Sequence, residues 1–158
     1  MADTEGSQES GVQTGRKTST RAARAGANRT LTSQEGILGL CDTVRETAFK
    51  LHCYLRHGHL EKVYENGLAH RLRKRNLKAE QQFPLTVVDE DGTPLGQYYA
   101  DLMVEGCLVV EIKACETLAS EHIAQVLGYL RSSQIEHGLL INFGAPRLQI
   151  KKLVLSRE

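Results

Sequence analysis

The sequence has no tryptophan, and three Phe and five Tyr are all its large aromatics, so it offers little from which to build a stacking platform for single-stranded bases. Its four cysteines, Cys41, Cys53, Cys107 and Cys115, form no C-x-x-C pair and none of the spacings that hold zinc or an iron–sulfur cluster. Free thiols in a reducing compartment are the expectation. Also lacking is any run near the ~18 consecutive apolar residues of a membrane helix, or the apolar core of a signal peptide. A cytoplasmic protein without a membrane segment is therefore expected. Net charge is almost absent: 20 Lys and Arg against 19 Asp and Glu leave +1, which does not by itself argue for a polyanionic partner.

The charge is nevertheless unevenly spread. Arg16, Lys17, Arg21, Arg24 and Arg29 follow one another with no acid until Glu35. Residues 1–30 nearly lack large apolar side chains, too few to offset the entropy of ordering, and read as a disordered basic tail. Residues 31–158 suffice for one domain with one core.

Order is expected to begin at Thr32, with Glu35 closing a capping box. Ile37, Leu40, Cys41, Val44, Ala48, Leu51 and Leu55 then recur at helical spacing, predicting a helix over 34–56. Leu60, Val63, Tyr64, Leu68 and Leu72 predict a second over 60–75, ended near Asn76 and with cations in its last turns, where the dipole favours them. The period then shortens. Phe83, Leu85 and Val87 alternate, Asp91 and Gly92 mark a turn, and strands follow over 98–104 and 108–114. A third helix over 119–133 and two more strands, LLINF and one around Ile150, complete an α-α-β-β-β-α-β-β order, an α/β layer built on one mixed sheet flanked by helices.

The strands around Gly106 carry charge where apolar residues belong. Alternation puts Val109, Glu111 and Lys113 on one face, and Tyr99, Asp101 and Met103 on one face of the preceding strand. With an odd-length turn Asp101 lies across from Glu111 and Tyr99 across from Lys113. Two carboxylates side by side repel unless a cation lies between them, and magnesium, which takes one or two carboxylates and keeps waters, supplies it. Lys113 would add a positive charge beside a phosphate or a water. The same spacing also suits a structural ion pair on a solvated sheet face.

Asp101, Glu111 and Lys113, spaced D-x9-E-x-K on a predicted hairpin between helices, resemble the metal-binding signature of the PD-(D/E)XK nuclease superfamily. Gly58, Glu61 and Tyr64 in GHLEKVY, with the later INFGAPRLQIKKLV, look like the GxxExxY proteins assigned to it. Gln125 and Tyr129 are similar to the Q-x-x-x-Y motif of RecB-like nucleases. One departure is visible, Ala100 where the superfamily's name implies proline. The resemblance implies a restriction-endonuclease-like core and a metal-dependent nuclease hydrolysing phosphodiester bonds. Mg2+ (Mn2+ as a substitute) would be held by Asp101, Glu111 and the backbone carbonyl of Ile112. Lys113, Glu61, Gln125 and Tyr129 would act around it.

The run HRLRKRNLK supplies Arg71, Arg73, Lys74, Arg75 and Lys78 as candidate contacts to a nucleic-acid backbone, DNA ahead of RNA; a solvated, dipole-stabilised helix end is the plainer account of the same run. For Tyr129 and Gln125 it is core packing and backbone capping. A silent nucleic-acid-binding or protein-interaction module on the same fold is the alternative function, with a homodimer through the outer apolar stripe of the first helix.

Overall fold

A computed structural model describes residues 33–156, so Thr32 and the basic tail lie outside the described residues. Helix α1 (Gln34–Leu55) starts one residue later than the expected cap: Ser33 Oγ accepts from Gly36 N–H at 3.1 Å. Glu35 stands in the first turn, where the helix dipole favours an acid. The expected stripe is the buried one, with Ile37, Leu40, Cys41, Val44, Ala48 and Leu51 all buried.

Helix α2 (Glu61–Lys74) is set against α1 by its own tyrosine. Tyr64 is fully buried, stacks on Phe143 with ring centroids 4.7 Å apart, and donates its hydroxyl to Arg56 C=O at 2.6 Å while accepting from His59 N–H at 3.2 Å. The loop that contains Gly58, at φ 108°, is thereby latched to the helix that follows it. This fixes where the first turn of α2, and Glu61 with it, begins. Arg75 and then Asn76, at φ 60°, end the helix near the expected point.

Five strands follow: β1 (Ala79–Val88), β2 (Pro94–Val104), β3 (Leu108–Lys113), β4 (His137–Asn142) and β5 (Gln149–Val154), with α3 (Ser120–Ser133) between β3 and β4. The strand order in the sheet is the order in the chain. All neighbours are antiparallel except β3 and β4, whose parallel pairing needs the α3 crossover. β1 begins four residues before the apolar pattern that marks it, since Gln81 and Gln82 hide its first half.

The sheet divides the core. On one face α1 and α2 pack against Leu102, Val104, Leu108, Val110, Ile112, Leu139 and Ile141. On the other, Val126, Tyr129 and Leu130 of α3 pack against Leu85, Ala100, Met103, Val109 and Leu140. Each fully buried aliphatic side chain contributes about 1.5–3 kcal/mol, and β2, β3 and β4 supply residues to both layers, with β3 buried on both faces up to Ile112.

The expected alternation along β2 fails at one point. Ala100 packs with Met103 on the α3 side, whereas Leu102 packs on the other. The ladder between β1 and β2 pairs Gln81 with Leu102 and Phe83 with Ala100 but skips Gln82 and Asp101, and Gln82 has φ 50°. This irregularity shifts the facing of the residues before Asp101. Tyr98, not Tyr99, therefore reaches α3, its ring 5.6 Å from that of Tyr129, while the Tyr99 hydroxyl donates to Gln97 Oε1 of the same strand.

Candidate functional site

The β2–β3 ladder contains only Leu102↔Val110, Met103↔Val109 and Val104↔Leu108. Continued by one residue, that register sets Asp101 opposite Glu111, as the odd-length turn requires. There the ladder gives way to a side chain: Asp101 Oδ2 accepts from Ile112 N–H at 2.8 Å. In an extended strand a residue's N–H and C=O lie on the same side, so the Ile112 carbonyl faces the same gap between β2 and β3.

Glu111 reaches this gap from the face it shares with Val109, and is almost fully buried. Its Oε1 accepts from Lys113 Nζ at 2.9 Å, and its Oε2 is buried with no hydrogen-bond partner. Burial is the main reason its pKa is raised, to about 7; the charge of Asp101 adds to it, and Lys113, with the nearby Asp101 N–H, offsets only part. Asp101 is likewise raised, first by burial and then by the charges of Glu65 and Glu61, against the Ile112 N–H and Lys113. For Lys113 burial acts downward, but the hydrogen bond and charge of Glu111, with Glu61 and Asp101, carry its pKa above the ordinary lysine value.

Other elements close the gap. From the first turn of α2, Glu61 Oε1 lies 4.0 Å from Lys113 Nζ, and its Oε2 accepts from Ala114 N–H at 3.3 Å. The end of β3 is clamped from β4 by buried Asn142. Its Oδ1 accepts from Cys115 N–H and Gly144 N–H, both at 3.0 Å, and its Nδ2 donates to Cys115 C=O at 2.8 Å. Gly144 lies so close to the Ala114–Cys115 backbone that a Cβ would overlap it. Lys113, just before that clamp, is therefore held from behind. On α3, Gln125 Nε2 donates to Tyr129 Oη at 2.7 Å, one helical turn apart. Tyr129 is nearly buried, and burial, then the charge of Glu111, raises its phenol pKa.

The structure thus brings Asp101, Glu111, Lys113 and Glu61 to one gap, with the Gln125–Tyr129 pair on α3 within electrostatic reach. The basic run lies elsewhere. Arg73 donates twice to Ala79 C=O, at 2.7 and 3.0 Å, and Arg75 to Glu46 and Thr47 of α1, each at 3.1 Å. Lys78 pairs with Glu80, and the Arg71 guanidinium lies over the exposed Tyr54 ring, 5.5 Å from its centroid. Arg71, Lys74 and Arg75 line a cleft between α1 and α2 with Lys50, His70 and Tyr54. At 1.5 Å per residue that end of α2 is roughly 20 Å along the helix from Glu61.

Two residues at the site escape a pattern-based reading. Glu65 is buried on α2 and accepts from Lys62, Gln81 and Gln82. An acid next to Tyr64 on an otherwise apolar helix face is the signal that could have marked it. Gln82 has no such signal, because its role depends on its backbone conformation.

The donors suit a hard divalent cation. Among the described residues no three His, Cys, Asp or Glu side chains group closely enough to hold a metal. The fit rests instead on two neighbouring carboxylates, one with a bare buried oxygen, and a main-chain carbonyl, a set magnesium completes with water. Among the described residues, the ion pairs of Glu111, Glu61 and Glu65 come from Lys113 and Lys62, so with Asp101 four acids gather around two ammonium groups, a deficit that one divalent ion would balance.

A family model described as the PD-(D/E)XK nuclease superfamily matches residues 39–153. Among solved structures, SSO0001 is similar with a TM-score of 0.48 and 20% identity, over 61% of this chain and 50% of that one, so the match spans about half of that protein's length. A comparison with curated proteins finds no match. Among the described residues no helix is long and apolar enough to cross a membrane.

Proposed function

Because the chain belongs to the PD-(D/E)XK nuclease superfamily, we propose that it is a divalent-metal-dependent nuclease that hydrolyses phosphodiester bonds. Asp101, Glu111 and the Ile112 carbonyl would hold Mg2+, with Mn2+ as a substitute. The observation that carries this reading is the partnerless buried Oε2 of Glu111, beside a second raised carboxylate and an ammonium. When bound, the ion would supply a Lewis acid for a phosphoryl oxygen and a coordinated water more acidic than bulk water.

The chain's own groups do the rest. Against the effect of burial, the hydrogen bond and charge of Glu111 raise the pKa of Lys113, which would serve as a positive charge and donor for a phosphoryl oxygen. Glu61 holds that ammonium from α2 and steadies Ala114 N–H. Because Tyr129 Oη already accepts from Gln125, its own proton is available to a substrate oxygen, and its raised pKa keeps that proton in place. Tyr98, half exposed over Tyr129, would form the rim.

Nucleic acid is the partner, DNA ahead of RNA, and the cleft holding Arg71, Lys74 and Arg75 would take its backbone at a distance from the scissile bond. Arg73 and Lys78, engaged within the fold, would add general positive potential. The likeness to the GxxExxY proteins rests on Gly58, Glu61 and Tyr64, of which the tyrosine latches the loop and the glutamate reaches Lys113. A cytoplasmic setting accords with four free cysteines.

The test is a cleavage screen over single- and double-stranded DNA and RNA with Mg2+ and Mn2+, beside chelator, Asp101→Asn and Lys113→Ala. Cutting that requires metal and both residues is the expected result. Salt-sensitive binding without turnover under every metal would favour a silent binding module instead.

A further inference from the structure

Side chains alternate along a strand, so Gln81 and Gln82 should point to opposite faces of the sheet. They do not. Gln81 Nε2 donates to Glu65 Oε1 at 2.9 Å and Gln82 Nε2 donates to Glu65 Oε2 at 3.0 Å. The backbone explains it: Gln82 has φ 50°, in the left-handed region, and the β1–β2 ladder omits it and Asp101. A non-glycine residue holds that conformation at a cost, which persists where the surroundings enforce it. What the distortion achieves is a second contact, because Gln82 Nε2 also lies 3.2 Å from Asp101 Oδ1. An amide nitrogen carries two hydrogens, one for each carboxylate. Glu65 is 3% exposed and is itself fixed by Lys62 Nζ at 2.7 Å.

We infer that Gln82, anchored on buried Glu65, is a positioning residue for Asp101. It holds Oδ1 while Ile112 N–H holds Oδ2, so that the carboxylate is aimed before a cation arrives. The inference rests on the reading of Asp101 as a metal ligand, and extends it: helix α2 sets metal affinity through a relay, Glu65 to Gln82 to Asp101, in which neither Glu65 nor Gln82 touches the ion. Outer partners of this kind typically change metal affinity by about 10–100-fold when removed.

Gln82→Gly separates positioning from folding. Glycine adopts φ 50° without strain, so the backbone distortion stays while the amide is lost. Two measurements are made on the full chain: calorimetric titration with Mn2+ alone, and thermal unfolding in chelator. The relay requires at least about tenfold weaker Mn2+ binding by Gln82→Gly, with an unfolding midpoint that leaves the variant fully folded at the titration temperature. Affinity within about twofold of the parent, or weakening accompanied by partial unfolding at that temperature, overturns it.

Glu65→Gln supplies a second arm. If Glu65 acts through Gln82, the double variant binds Mn2+ no more weakly than Gln82→Gly alone; independent, additive losses would contradict the relay. A parent protein that binds no Mn2+ would end both the relay and the nuclease reading. Tight binding by parent and Gln82→Gly alike would end the relay only.

Discussion

Glu111→Gln should make the metal-free protein more stable at alkaline pH, although it removes a hydrogen-bonded ion pair. Glu111 is 3% exposed, with one oxygen on Lys113 and the other without a partner. Burial, then the charge of Asp101, raises its pKa from 4.5 to about 7. A tenfold change in proton affinity corresponds to about 1.4 kcal/mol, so ionising Glu111 costs the folded chain about 3 kcal/mol more than the unfolded one. The sign follows from which state holds the proton. Below the ordinary value of 4.5 the carboxyl is neutral in both states and adds no difference. Between there and about 7 the unfolded chain releases its proton while the folded chain keeps it, so this group lowers stability as pH rises; above about 7 the loss is complete.

A neutral amide escapes that loss, less about 1 kcal/mol for the weakened contact to Lys113. Urea unfolding in chelator is the assay. Glu111→Gln should match the parent or fall slightly below it near pH 4.5, and exceed it by about 1–3 kcal/mol near pH 8. A difference independent of pH, or a variant less stable than the parent at pH 8, would refute the electrostatic reasoning.

Other parts of the structure give further expectations. Tyr64→Phe loses two hydrogen bonds that latch the loop between α1 and α2, and should lower stability by about 1–3 kcal/mol in urea titrations while leaving helix content by circular dichroism intact. Gly144→Ala drives a methyl group into the Ala114–Cys115 backbone and should lower stability by about 3 kcal/mol, read as a lower unfolding midpoint. Lys113→Ala should reduce cleavage at least about 100-fold in kcat while Mn2+ still binds, since it removes a charge aimed at the phosphate and not a ligand. The paired change Arg71→Ala and Lys74→Ala should weaken DNA binding uniformly across sequences and reduce the salt slope by roughly 2 in a log–log plot, checked by fluorescence anisotropy.

What could be read from the chain was what depends on period and local chemistry. The three helices and the order of the strands follow from apolar spacing, and the facing of Glu111 and Lys113 from alternation along a short, regular β3. The juxtaposition of Asp101 with Glu111 followed from the parity of the turn at Gly106. Where a single backbone torsion departs from regularity, the same arithmetic fails. Gln82 at φ 50° disturbs the β1–β2 ladder, so Tyr98 takes the place expected of Tyr99, and nothing in the residue type signals it. The helix cap moved from Thr32 to Ser33 because adjacent hydroxyl residues are equivalent in pattern and only geometry chooses between them. Glu65 was obscured because a helix face is judged by its majority. The fate of the basic run was also hidden: Arg73 and Arg75 are engaged by a carbonyl and an acid that lie near them only in the folded chain.

The account turns on a divalent ion seated between Asp101 and Glu111. Crystals soaked in Mn2+ and measured at a wavelength where manganese scatters anomalously test it directly. An anomalous peak within bonding distance of both carboxylates and the Ile112 carbonyl, lost in Asp101→Asn, is the expected result. Well-ordered crystals with no peak at that position, or a peak unaffected by the substitution, would contradict it.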